Sequence, residues 1–205
     1  MSDPARAVWI ARILCALAAW ALFAFGGVHL QTAIPLAAVT ALVAAAVRPP
    51  LMRGHTQALD AWLFLFLGCG ALQILPLPAS ITGAISPASV SLGRELTLDA
   101  GSTLAAFSIR PPYTGHAVLV LATALAVFWI ARDTYRTSGV RTSGRTIALM
   151  GFGVSLVALA QSATARGLIY WRWRPDHEGP DPFGPFVNRN HFATWAVLAI
   201  PLCLG

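Results

Sequence analysis

The chain has 205 residues, of which 57% are hydrophobic and 11% charged, with a net charge of +6 and a mean hydropathy of +0.67. Soluble domains are charged at roughly 25% of their positions, and a chain this size has no core large enough to hide so much apolar surface, so a soluble globular fold is excluded and lipid is the natural solvent. All 14 basic residues are arginines and sit at the ends of apolar runs rather than on one polar face, which excludes a nucleic-acid surface and suits a membrane topology.

The pattern predicts an all-α fold, a polytopic transmembrane helix bundle with about five complete spans and the start of a sixth. Residues 13–47 carry no charged side chain, and a helix rising about 1.5 Å per residue needs only about 20 residues to cross. The stretch therefore holds two spans, 8–28 and 31–47, broken at GGVHLQT, where Gly26 and Gly27 are poor helix formers and His29 and Gln31 are polar. Arg6 and Arg12 precede the first run and Ala19-Trp20-Ala21 offers a small-residue cleavage pattern, but the run continues well past it and reads as an uncleaved span.

A third span is expected over 59–75, ending at Pro76 and Pro78, and a fourth over 115–131, entered after Pro111 and Pro112 and stopped by Arg132 and Asp133. A fifth covers 146–165 and a sixth 191–205. The last run is still apolar at Gly205, so 1–205 reads as the N-terminal part of one transmembrane domain of a longer protein. The loop from Arg132 to Arg145 holds four arginines and one acid, which by the positive-inside rule places the N-terminus in the cytoplasm. Two outer segments follow, 76–114 and 166–190. In the first, Asp99 or Ser102 is positioned to cap a short helix lying along the membrane surface.

Isolated polar residues receive structural readings. Cys15, Cys69 and Cys203 lie singly in apolar stretches and read as small buried hydrophobes, with no metal or disulfide spacing. His29, His55 and His116 lie near span boundaries and read as snorkelling or capping residues; Asp60 reads as interfacial. Asp176, His177, Glu178 and Asp181 stand in a Pro- and Gly-rich loop without converging periodicity, which favours a solvated loop over a metal site. Neither a phosphate-cradling Gly-Lys-Ser/Thr loop nor a dinucleotide fingerprint nor a nucleophile elbow is present, so no cofactor is expected.

The second outer segment carries the candidate chemistry. Tyr170, Trp171 and Trp173 alternate with Arg172 and Arg174 where the fifth span emerges. Such a pattern serves as an aromatic belt with arginines reaching to head groups, or as an anion site in which guanidinium groups take phosphate oxygens bidentately and aromatic faces hold a sugar. Directly before the sixth span stand Asn188, Arg189, Asn190 and His191. Asn188 or Asn190 can cap that helix, its free amides favour an anion, Arg189 adds a full charge, and His191 can donate or carry a proton.

At PFGPFVNRNHFATWAVLAIPL the sequence resembles the O-antigen ligase and polymerase family of bacterial membrane proteins, whose characteristic stretch reads much like FVNRNHFA at the start of a span. WALFAFGGVHLQTAIPLA is similar to that family's first hairpin, LQILPLPASITGAISPAS to the end of its third span, and TLDAGSTLAAF to the helix leading into its fourth. The resemblance implies about a dozen spans and transfer of a glycan from undecaprenyl pyrophosphate to a lipid, glycan or protein acceptor at the outer face of the inner membrane. It carries Arg189, Asn188, Asn190 and His191 over as a pyrophosphate site and puts the catalytic base in a large outer loop outside this chain. The fragment alone is therefore expected to be inactive. Arg172 and Arg174 join the site from their own chemistry. The implied partners are the lipid-linked donor, the acceptor and membrane lipids, with no nucleic acid.

Two other readings compete. A transporter of lipid-linked glycan or a small solute needs a polar path at mid-membrane depth, and a non-catalytic scaffold needs only head-group contacts for the arginines. An outward-facing pocket lined by Arg189 separates the transferase from both.

Overall fold

The computed structural model describes residues 3–25, 29–96, 103–138, 140–174 and 182–204. These form eight α-helices and two very short strands: α1 (Asp3–Phe23), α2 (Leu30–Val47), α3 (Gln57–Leu72), β1 (Leu77–Pro78), α4 (Ala79–Ile85), α5 (Pro87–Leu96), β2 (Leu104–Ala105), α6 (Pro111–Ser138), α7 (Arg141–Thr164) and α8 (Arg189–Leu204). The fold is all-α. Four stretches are long and apolar enough to cross a membrane, Ala5–Phe23, Leu30–Val47, Pro111–Arg136 and Arg141–Thr164. Helices α3 and α8 stand where the third and sixth spans are expected, but each has 16 residues, about 24 Å of helix and short of a hydrocarbon core of about 30 Å.

Helix boundaries depart from the expected spans for local reasons. The first helix starts earlier and stops at Phe23, ahead of Phe25 in the left-handed region at φ 59°. Gly26 and Gly27 lie outside the described residues. Arg48, also left-handed, ends α2 by donating its N–H to the Ala44 carbonyl, and Pro49 and Pro50 follow. Pro111 and Pro112 open α6 as its first turn, where the missing N–H groups cost nothing. Arg132 and Asp133 do not stop that helix. It runs on to Ser138, because charged residues end an apolar run without ending a helix for which arginine has good propensity. Likewise α3 ends at Leu72, not at 75, in a turn where the N–H groups of Gln73, Ile74 and Leu75 each reach back three residues.

The chain forms two compact units, Met1–Pro49 with Val127–Gly205, and Pro50–Ala126. In the first, α1 packs against α2 and α7, and α7 against α8. Its core centres on Leu22, Val154 and Phe186, flanked by Met150, Phe192 and Trp195. Helices α7 and α8 approach so closely that a Cβ added to Gly151 falls 2.6 Å from that of Ala199, the small-residue contact that brings apolar helices together where no hydrophobic drive exists. At the other end of α7, the Ser143 hydroxyl accepts from Tyr135 at 2.6 Å and from the Cys15 thiol at 3.7 Å. The Arg6 guanidinium reaches the Ala46 carbonyl at 3.0 Å.

In the second unit, Asp60 is fully buried rather than interfacial, and its carboxylate accepts the N–H of Met52 at 3.0 Å. That bond holds Met52 in a left-handed conformation at φ 55°, which folds the chain before α3 back over the helix start. Helix α3 meets the beginning of α6 at Gly70, where a Cβ lies 3.2 Å from the Val118 methyl. Between them, β1 and β2 pair antiparallel, Leu77 with Ala105 and Pro78 with Leu104. Ser108 donates to the Gln73 carbonyl at 2.9 Å, Ala79 to that of Thr103, and the buried Thr82 hydroxyl to that of Ala105 at 3.0 Å.

The surface helices of this segment are thus α4 and α5. Of the stretch 97–107 that resembles a helix leading into the fourth span, the described residues 103–107 are not helical: Leu104 and Ala105 are drawn into the ladder, and bends follow over 107–110. The proposed caps Asp99 and Ser102 lie outside the described residues. The three cysteines are free, and Cys69 and Cys203 are exposed on the apolar surface instead of buried, with Cys15 half-buried.

Candidate functional site

The candidate residues belong to the connection from α7 to α8, which folds onto one end of the first unit. Arg166 and Gly167 turn the chain off α7 at φ 49° and 82°. Ile169 then exchanges two backbone hydrogen bonds with Trp173, at 2.7 and 2.9 Å, and buries its side chain fully. The tip of this small hairpin is Tyr170-Trp171, both left-handed at φ 52° and 58°, with Arg172 N–H closing onto the Ile169 carbonyl at 3.2 Å. Two consecutive bulky residues in this region store strain, which the surroundings must hold in place.

Four hydrogen bonds and a ring cluster do so. The Gln161 side chain, buried in the last turns of α7, accepts the Tyr170 N–H at 2.9 Å and donates to the Gly184 carbonyl at 2.9 Å. The Tyr170 hydroxyl donates to the Phe23 carbonyl at 2.6 Å, satisfying an orphan acceptor at the end of α1. The Trp171 indole donates to the Thr164 hydroxyl at 2.7 Å. Phe25 packs edge-on or tilted against His29, Tyr170 and Trp173, with centroids 5.2–5.8 Å apart, and His29 sits 5.4 Å from Trp173. Burial pushes the Tyr170 phenol above its ordinary pKa, so it stays a neutral donor.

The second arm returns through Phe183-Gly184-Pro185-Phe186. Gly184 is left-handed at φ 61°, and a Cβ there falls 3.0 Å from that of Ala158, so glycine is required twice over. Phe192 receives Phe183 and Phe186 edge-on, at 4.7 and 6.2 Å. Of the two asparagines able to cap α8, Asn188 does it. Its Oδ1 accepts the Asn190 N–H at 2.9 Å, and its carbonyl accepts that of His191 at 3.0 Å.

Because Gln161 holds both arms, Arg172, Arg174 and the Asn188–His191 turn are tied to the same end of α7. The side chains of Arg172, Arg174, Arg189, Asn190 and His191 are exposed, while Asn188 is half-buried and engaged as the cap. Among the described residues, no ion pair or hydrogen bond engages the three guanidinium groups. These exposed guanidinium and amide groups are the chemistry that takes an anion. Among the described residues no group of His, Cys, Asp and Glu gathers to hold a metal. Asp176, His177, Glu178 and Asp181 lie outside them.

Sequence reasoning overlooked Gln161, Phe25 and Gly184. Gln161 had a visible signal, as an amide within an uncharged apolar run, where an unpaired polar group is costly. Of the two readings of His29, snorkelling or capping, the residue stands at the N-cap of α2, where its carbonyl accepts the Thr32 and Ala33 N–H groups. Its side chain makes no cap bond, the ring lies in the aromatic cluster, and its Nε2 is buried without a partner among the described residues. His55 is exposed on the turn before α3, and His116 is half-buried near the start of α6. The chain matches no protein-family model, no curated protein and no solved structure.

Proposed function

We propose that the chain is a multi-spanning protein of the bacterial cytoplasmic membrane that takes part in glycan transfer from undecaprenyl pyrophosphate, with Arg189, Arg172 and Arg174 forming part of the pyrophosphate site. The observation that carries this reading is the fixing of both arms of the 165–188 connection by Gln161, which ties all three arginines to one end of α7 beside a rigid aromatic cluster. The FVNRNHFA stretch supports it from the sequence side. In this reading α3 and α8 complete the set of spans.

Arginine placement along the chain supports a cytoplasmic N-terminus. Arg6, Arg12, Arg48, Arg53, Arg132, Arg136, Arg141 and Arg145 fall in the inner segments of that topology and Arg94, Arg110, Arg166, Arg172, Arg174 and Arg189 in the outer ones, eight against six, and the short loop from Arg132 to Arg145 decides the orientation. The chemistry is coherent without a metal or nucleotide. The leaving group is a lipid pyrophosphate, and fixed guanidinium charges stabilise the charge that develops on its departing oxygen. The bond broken is already activated, and the Asn190 and His191 side chains add neutral or protonatable donors at the same helix entrance.

The test is glycan transfer in cells expressing the native protein with Arg189→Ala, Arg172→Ala or Arg174→Ala. A loss of about a hundredfold or more for Arg189→Ala, at unchanged membrane abundance, is expected from removing one such donor. Full transfer by Arg189→Ala sinks the assignment and leaves the arginines as head-group anchors of a scaffold.

A further inference from the structure

The second unit contains a cavity of about 270 Å³ unconnected with the chemistry above. Its walls come from one side of α5, from β2 with the residues after it, and from the first residue of α6. Val90, Leu104 and Ile109 make it apolar, while Arg94, Ser89 and Ser108 supply the polar groups, and no acid is among its lining residues. It is preformed: the ladder of β1 and β2 and the Thr82 hydroxyl on the Ala105 carbonyl hold one wall. The 2.7 Å contact of Ser108 with Thr114 ties the next to α6. Gly93 faces open space where a side chain would begin.

The surroundings say what reaches this cavity. The segment from Leu77 to Ser108 lies between two apolar helices, α3 and α6, and the Ser108–Gln73 hydrogen bond brings its far end back to the end of α3; in the reading proposed above, in which both helices span, it stays at the membrane surface. Its helices expose apolar side chains at helical spacing, Ile81 and Ile85 on α4, Leu92 and Leu96 on α5. Helix α5 therefore has two working sides. Leu92 and Leu96 present an apolar surface that lipid covers, and Ser89, Val90, Gly93 and Arg94 present the cavity.

We propose that this cavity binds the head group of an anionic membrane phospholipid, with the exposed Arg94 taking the phosphodiester, Val90, Leu104 and Ile109 against the glycerol, and Ser89 and Ser108, whose hydroxyls pair with Ser86 and Thr114, as polar wall. Arginine suits a phosphate through its planar fork of donors. The exposed apolar residues beside it offer the acyl chains a continuous path into the bilayer. The volume suits a head group, at the lower end of the range of about 300–1,000 Å³ for small-ligand sites. The site lies in the unit that contains none of the glycan-transfer candidates, so the two proposals stand or fall separately.

The test is native mass spectrometry of the full chain in detergent, titrated with phosphatidylglycerol and, in parallel, phosphatidylcholine. Preferential retention of phosphatidylglycerol is expected. Arg94→Gln is expected to weaken it about fivefold, Gly93→Phe to block it by filling the cavity, and the exposed Arg53→Gln to leave it unchanged. Equal retention by the wild type, Arg94→Gln and Gly93→Phe overturns the site. Displacement of phosphatidylglycerol by millimolar inorganic phosphate assigns the cavity to free phosphate and overturns the lipid reading. Circular dichroism of Gly93→Phe separates a filled cavity from a misfolded unit, and in the latter case Arg94→Gln alone decides.

Discussion

Gln161 donates from its buried amide to the carbonyl of Gly184, 23 residues further along, at 2.9 Å. With its oxygen taken by Tyr170 N–H, the amide has a partner on each side and fixes the two arms of one connection. In a low-dielectric setting such a doubly engaged group is hard to replace, because truncation strands a donor and an acceptor together.

Gln161→Ala is expected to destabilise the fold by about 2 kcal/mol or more, and to free the hairpin tip. Limited trypsin digestion of the detergent-solubilised protein reads this out as faster cleavage after Arg172, since Pro175 protects the bond after Arg174. A digestion rate equal to the wild type at Arg172 means that the amide is not what holds the arms.

Gly151→Ala is expected to cost about 1–3 kcal/mol, because the added methyl falls on that of Ala199. Ala199→Gly in the same chain restores the space, so the double variant regains most of the loss. Thermal unfolding of the two single variants and the double variant measures the coupling, and strict additivity contradicts the packing of α7 on α8.

Asn188→Ala removes the side-chain acceptor at the entrance of α8, at a cost of about 1 kcal/mol. Asn188→Asp keeps the acceptor and adds charge at the positive end of the helix dipole, so stability is retained. The same pair separates two roles in a transfer assay. A cap predicts activity in Asn188→Asp, whereas direct contact with pyrophosphate predicts its loss through repulsion.

Tyr170 gives the protein a pH dependence at the alkaline end. Its phenol is raised from the ordinary value of 10.0 by burial. The fold favours the neutral form, so this stabilisation is complete below pH 10 and is lost as pH rises through the folded value. Tyr170→Phe is expected to lower the melting temperature at pH 8 through loss of the bond to Phe23, and to narrow its gap to the wild type towards pH 11. A constant gap across that range rules out Tyr170 as the titrating group.

Helices were legible where one periodic or uncharged run sufficed. The break between α1 and α2 and, to within two residues, the start of α8 follow from local composition, whereas α7 begins at Arg141, ahead of the expected 146, because its first turn is charged and polar. What stayed hidden depended on partners distant in sequence. Asp60 looked interfacial because nothing in its own apolar run announces that the Met52 N–H donates to its carboxylate. The short strand at Leu104 and Ala105 came from pairing with Leu77 and Pro78, a contact no propensity encodes. Arg132 and Asp133 misled because they mark the edge of an apolar layer, which α6 simply outgrows.

At the candidate site the chemistry-bearing side chains were visible, since arginines beside tryptophans and an asparagine ahead of an apolar run are signals in themselves. The geometry was not. Two left-handed residues at the hairpin tip, Tyr170 and Trp171, have no sequence mark, as neither is glycine or asparagine.

The hydrogen bond between Ser108 and Gln73 means that the chain leaves and re-enters the membrane-facing layer of the second unit at one point. Closure at that point makes the pairing of α3 with α6 only weakly dependent on the length of what lies between. The segment is a cassette. Its tip can be lengthened, tagged or exchanged at an entropic cost that grows only logarithmically, while the two helices keep their register at Gly70 and Val118. Diversification of this protein's surface is therefore cheapest there, and an epitope inserted between α4 and α5, near Ser86, should report on which side of the membrane the segment lies without disturbing α3 and α6.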